Sequence, residues 1–200
     1  MKLALYCTVL AVTFAVRVQA IEAMLTSFAN EGGISQGTAG WTFQPLTDIS
    51  VTALGAFQYA VTNTPAIEVG LWNATGTLLA SNTVTTASLL LDQSMYESIT
   101  PVTLTAGQTY YLGAFGGPMV IVAYDPTEEP GSVTMAPEIQ LGAAVASTNN
   151  DFEFPSGEQG LPGSAVLLPN FQFTVVSVPE PTIFCLFGGG LFIFFTRRRR

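Results

Sequence analysis

"AIEVGLWNATGTLLASNTV", residues 66–84, spells a strand, a turn and a returning strand in order. Ile67, Val69 and Leu71 sit at every second position, so a pleated strand puts them on one face and leaves Glu68 and Trp72 on the other. Asn73-Ala74-Thr75-Gly76 supplies the turn, because Asn bonds its own main chain and Gly accepts positive φ without a steric cost. "TLLASNTV", residues 77–84, then runs back.

The same grammar extends in both directions. In "DISVTALGAF", residues 48–57, alternation places Ile49, Val51 and Ala53 on one face. Further strands are expected at "ITPVTL" (99–104), "TYYLGAF" (109–115), "MVIVAYD" (119–125), "EIQLGAAVAS" (138–147) and "FQFTVVS" (171–177). Long helical periodicity is missing between them. The echo of "ALGAF" (53–57) in "YLGAF" (111–115) marks two strands whose glycine serves a bulge or close packing, not a repeat array. Two polar stretches read as loops, "DPTEEPGSVTMAP" (125–137) and "NNDFEFPSGEQGLPGS" (149–164). The expected fold is all-β: one jelly-roll-like β-sandwich over residues 21–177, flanked by an N-terminal signal peptide and one C-terminal transmembrane helix.

Charge separates the middle of the chain from its ends. The six basic residues are Lys2, Arg17 and Arg197 to Arg200, so none lies between Ile21 and Ser177, where 13 of the 14 acids fall. An anionic surface of this kind repels nucleic acid, and no nucleic-acid partner is expected. The chain has no histidine, and its two cysteines, Cys7 and Cys185, lie in the terminal apolar segments. Ser-His and Cys-His catalysis, histidine-ligated zinc and a disulfide framework are therefore excluded from the middle. No glycine-rich phosphate loop with its lysine is present. A non-enzyme is expected.

Weaker candidates remain. Asp125, Glu128 and Glu129 offer hard oxygen ligands in a turn-rich loop and are candidates for Ca²⁺, the one cofactor considered, though no regular ligand pattern surrounds them. Trp41 and Trp72, with Tyr110 and Tyr111, are candidate platforms for a sugar, while core packing is the ordinary use of Trp in a sandwich. If "DFEF" is extended, Asp151 and Glu153 share a face, the minimum for an acidic glycoside hydrolase. The alternative is an edge strand whose Phe152 and Phe154 enter the core. Asn73-Ala74-Thr75 matches an N-glycosylation sequon.

The ends address the membrane. "MKLALYCTVLAVTFAVRVQA", residues 1–20, has a positive start, an apolar stretch and a small-residue site, placing cleavage between Ala20 and Ile21; a retained anchor is the alternative. At the other end, residues 182–196 are apolar, and 15 helical positions span about 22 Å, short of a ~30 Å hydrocarbon core. Arg197, Arg198, Arg199 and Arg200 act as a stop signal that stays in the cytoplasm and leaves the middle domain outside. Val178-Pro179-Glu180-Pro181 precedes the helix as an extended, accessible segment.

"VPEPTIFCLFGGGLFIFFTRRRR", residues 178–200, resembles the PEP-CTERM sorting signal, also called the ice-binding-protein C-terminal motif: motif 178–181, helix 182–196, basic tail 197–200. The resemblance implies a Gram-negative-type exported protein recognised by an exosortase, an integral-membrane cysteine transpeptidase, through Val178, Pro179, Glu180 and Pro181. The helix would be a temporary anchor in the inner membrane, removed on the way to the cell surface or exopolysaccharide matrix. Its implied partners are the export machinery, signal peptidase, exosortase and extracellular polysaccharide. "GWTFQPLTDISVTALGAF", "EVGLWNATGTLLASNTV" and "PVTLTAGQTYYLGAF" also resemble a β-sandwich domain of unknown function common in such proteins, which brings no catalytic residues. A structural or adhesive role leads, with a carbohydrate-binding or calcium-dependent adhesion module as the alternative.

Overall fold

The computed structural model describes residues 19–26, 34–35, 37–64, 66–116, 119–120, 123–124, 133–162, 165–166 and 169–176. In chain order these form β1 (Ile21–Glu22), β2 (Met24–Thr26), β3 (Ile34–Ser35), β4 (Ala39–Pro45), β5 (Ile49–Phe57) and a short helix, α1 (Gln58–Asn63). Then come β6 (Ala66–Asn73), β7 (Leu78–Thr85), β8 (Leu89–Leu91), β9 (Ser94–Leu104), β10 (Tyr110–Phe115), β11 (Met119–Val120) and β12 (Ala123–Tyr124). The chain continues through β13 (Val133–Met135), β14 (Ile139–Ala146), β15 (Gly157–Pro162), β16 (Ala165–Val166) and β17 (Pro169–Val175).

Two sheets face each other, one in the order β1-β17-β5-β9-β8 and the other β15-β14-β4-β10-β6-β7. Short pairs join β11 to β3, β12 to β16 and β13 to β2. Every ladder among the described residues is antiparallel. The core lies between the two large sheets. Trp41, Phe43, Ile67, Leu71 and Leu112 come from one side, and Ile49, Leu54, Leu104, Phe171 and Phe173 from the other, all fully buried. Phe43 and Phe171 meet with ring centroids 4.8 Å apart, and Trp41 stacks on Phe171 at 5.9 Å. The Trp41 indole Nε1–H also donates to the carbonyl of Pro169, 2.9 Å away, so the ring that fills the core also ties the sheets together.

The hairpin at 66–84 forms as expected. Asn73 Oδ1 accepts from the backbone N–H of Thr75 (3.0 Å) and Thr77 (2.9 Å) and from Thr75 Oγ1 (2.7 Å), and Gly76 takes φ +80°. Strict alternation in 48–57 holds only halfway. A β-bulge at Thr52 shifts the register, so Leu54 and Ala56 turn inward with Ile49 and Val51, and Gly55 turns outward. A side chain on Gly55 would collide with the Tyr96 ring, and one on Gly113 with Thr38; both echoed glycines therefore serve close packing.

Three expectations about local structure are corrected. The stretch 149–164 is not all loop, because β15 occupies its second half and pairs with β14. Residues 133–135, assigned to the first loop, pair with β2 as a strand. Asp151–Phe154 forms no strand, and its phenylalanines stay outside the intersheet core. Helix α1 escaped notice because six residues are too few to print a helical period.

Candidate functional site

The outer face of the five-stranded sheet carries an unusual group of acids. Strand β1 ends at Glu22, held in register against β17 by the pairs Ile21–Phe173 and Glu22–Gln172. From β9, Tyr96 lies across Gly55, and its hydroxyl donates to Glu22 Oε2 at 2.7 Å. Asp92, in the turn between β8 and β9 at φ 47°, lies beside the Glu22 carboxyl on the wall of the same cleft. Asp tolerates this left-handed backbone better than most residues.

Burial is the main force on Glu22. It pushes the carboxyl up to about 7, the Asp92 carboxyl adds to the rise, and the Tyr96 hydrogen bond opposes it. Burial and the neighbouring Glu22 push the Tyr96 phenol up in turn. Below the pair, Asn170 is buried; its Nδ2 donates to the Met24 carbonyl at 2.8 Å and its Oδ1 accepts from the N–H of Phe171. Two clefts, ≈ 420 and ≈ 410 Å³, meet at the carboxyl pair. The first is lined by Met24, Gln93 and Ser94, the second by Gln19, Ala20, Ile21 and Thr134, with Glu22, Leu25 and Asp92 common to both. Such a pair can share a proton or receive a cation. Among the described residues, no group of three or more His, Cys, Asp or Glu is placed to hold a metal ion.

The pair has a thermodynamic signature in the chain that still carries Gln19 and Ala20. A folded-state pKa above the unfolded one means that the native protein binds the extra proton. The resulting stability is complete below about pH 4.5 and is lost as pH rises through about 7. We expect melting temperature to fall across that window and Glu22→Gln to flatten the fall, as measured by calorimetry from pH 4 to 8. An unchanged slope in the variant would assign the pH dependence elsewhere.

A second cluster covers the outer face of the six-stranded sheet. Trp72 packs against Phe152 (5.2 Å between centroids) and Phe154 (6.4 Å), and Tyr111 meets Phe154 edge-on at 4.8 Å. Thr38 pins this strap, its Oγ1 donating to the Asp151 carbonyl and accepting from the N–H of Glu153, both at 3.0 Å. Glu153 Oε2 accepts from Asn149 Nδ2 at 3.0 Å. Burial, with the Asp151 charge behind it, raises Glu68 beneath the strap.

The four aromatic candidates therefore divide by sheet face. Trp41 and Tyr110 belong to the core, and full burial removes Trp41 as a sugar platform. Trp72 is buried under the strap, and Tyr111 lies beside it, half-buried. Gln19 and Ala20 are exposed, with Ile21 half-buried behind them. Asp125, Glu128 and Glu129 lie outside the described residues, as do residues 1–18 and 178–200 with the sorting motif and the arginines. Among the described residues no helix is long and apolar enough to cross a membrane. The Glu22–Asp92–Tyr96 group was missed in the sequence because 74 positions separate Glu22 from Tyr96. The one local signal was an acid beside the expected cleavage site.

Residues 177–200 match the PEP-CTERM protein-sorting motif, beginning two positions after β17 ends. An all-β domain joined to that motif is the plan of an exported, envelope-directed protein targeted to an exosortase. The chain belongs to the family described as domain of unknown function (DUF4082), which it matches over residues 25–158. A comparison with curated proteins finds no match.

Proposed function

We propose that this protein is a non-enzymatic structural or adhesive component of the cell surface or exopolysaccharide matrix. In this reading a single jelly-roll-like sandwich is exported behind a cleaved signal peptide, held by the 182–196 helix, and released by exosortase. The observation that carries the adhesive role is the free edge at β8. Leu89, Leu90 and Leu91 are 69, 48 and 42 % exposed there, on the last strand of the five-stranded sheet. Among the described residues no strand pairs with its outer side, and an apolar edge of that kind is a template for another strand, which soluble domains usually blunt with charge. The occupant that fits is a second copy, because two β8 edges related by a two-fold axis pair antiparallel and bury the leucines against each other.

The test is sedimentation of the detergent-solubilised chain and of its Leu90→Lys variant. We expect concentration-dependent dimers from the wild type and at least a tenfold weaker association from the variant, since a lysine on the edge leaves a charge to be desolvated. Monomers at every concentration would remove the self-adhesive role and turn attention to carbohydrate. That alternative is tested on a glycan array with and without EDTA.

A further inference from the structure

We propose that the cleft beside Glu22 and Asp92 is the receptor for the protein's own new amino terminus, so that removal of the leader latches the first strand onto the sandwich. The inference rests on the cleavage site expected between Ala20 and Ile21. Hydrolysis there adds one water across the amide. Ala20 leaves with the leader as a carboxylate, and Ile21 keeps the nitrogen, which takes a proton to become an ammonium.

Three observations place that ammonium in the cleft. Ile21 is fixed opposite Phe173 in the β1–β17 ladder and packs against the core, so its nitrogen has a defined position. Ile21, Glu22 and Asp92 line one cavity of ≈ 410 Å³, and the cut removes two other lining residues, Gln19 and Ala20. The described residues from 21 onward contain no Lys, Arg or His, so the carboxyl pair has no side-chain cation to face. One proton of the ammonium can serve the ladder, and the others are free for carboxylate oxygens. The charged groups lining the cavity are Glu22 from β1 and Asp92 from the β8–β9 turn, and the Tyr96 hydroxyl from β9 is bonded to Glu22. The remaining lining, Leu25, Leu91, Thr134, Met135, Ala136 and Pro137, is uncharged. An ammonium placed there supplies the counter-charge that the two acids lack, and Glu22 can then ionise without opposing the fold.

The experiment compares two detergent-solubilised chains, residues 21–200 released from a fusion with Ile21 first and residues 19–200 retaining Gln19-Ala20. At pH 7.5 and low salt we expect the chain beginning at Ile21 to melt about 2–4 °C higher, the shift that one ion pair gives a domain of this size. Its α-amino group should titrate above the usual ~8. Both effects should disappear in the double variant Glu22→Gln, Asp92→Asn, whose two chains should melt together. Equal melting of the two wild-type chains with an ordinary α-amino titration would overturn the proposal, as would a gap that survives the double variant. Because both amino termini are fixed by design, this outcome does not depend on the cleavage point. Intact mass of the exported protein from its host tests that point separately.

Discussion

Ending the chain after Glu158 should abolish cooperative folding, whereas ending it after Val176 should preserve it. The family match stops at residue 158, yet the domain does not. Strand β17 lies inside the five-stranded sheet between β1 and β5, and supplies Phe171 and Phe173 to the core. Deleting it strips the ladder partners from β5 and the Pro169 carbonyl from Trp41. Loss of a buried phenylalanine side chain costs about 3–5 kcal/mol. Two such losses, with β5 left paired on one side only, exceed much of the roughly 5–15 kcal/mol that holds a typical domain together. Far-UV circular dichroism through a urea titration is the measurement. A sigmoidal transition in the 158-residue form would mean that the family boundary is also a folding boundary.

The second large effect is at Trp41. Trp41→Ala should lower the stability of the folded domain by about 3–5 kcal/mol, read from urea midpoints at constant slope. The ring is wholly buried among Phe43 and Phe171, and nothing nearby can collapse into its volume without breaking the sheet-to-sheet contact. Trp41→Phe separates the two roles of the indole. It keeps most of the apolar area but leaves the Pro169 carbonyl without its donor, a loss of about 1–3 kcal/mol. Similar values for the two variants would show that the hydrogen bond matters more than the packing.

Much of the sandwich was legible because its strands obey local rules. The β6–β7 hairpin could be read from aliphatic alternation and the Asn73–Gly76 turn alone, and both decisions are made within a few residues. The inward set of β5 could not, because the bulge at Thr52 is set by the pairing with β17, far away in the chain, and leaves no mark in composition. The "DFEF" segment misled for a related reason. Its phenylalanines are apolar enough for a core, but their partners Trp72 and Tyr111 face outward, on a surface that becomes apolar only when the strap covers it. Trp41 and Trp72 are indistinguishable by type, and only their phase in β4 and β6 decides which face each one fills. The carboxyl pair is the extreme case, a juxtaposition made wholly by topology.

The β1–β17 ladder also sets how the domain would bear tension applied through its two ends. Antiparallel pairing of Ile21 with Phe173 brings the entering and leaving chain to the same end of the sheet. Tension applied between Gln19 and Val176 would therefore peel β1 from β17 one rung at a time, the weakest way to load a ladder. Once nothing pulls on the amino end, tension entering at Val176 and borne by the β8 edge runs along β17. It then loads its rungs with β5 in parallel, as shear. Cutting the leader would convert a zipper into a rivet line, and single-molecule pulling in the two geometries would register the change as a step in rupture force.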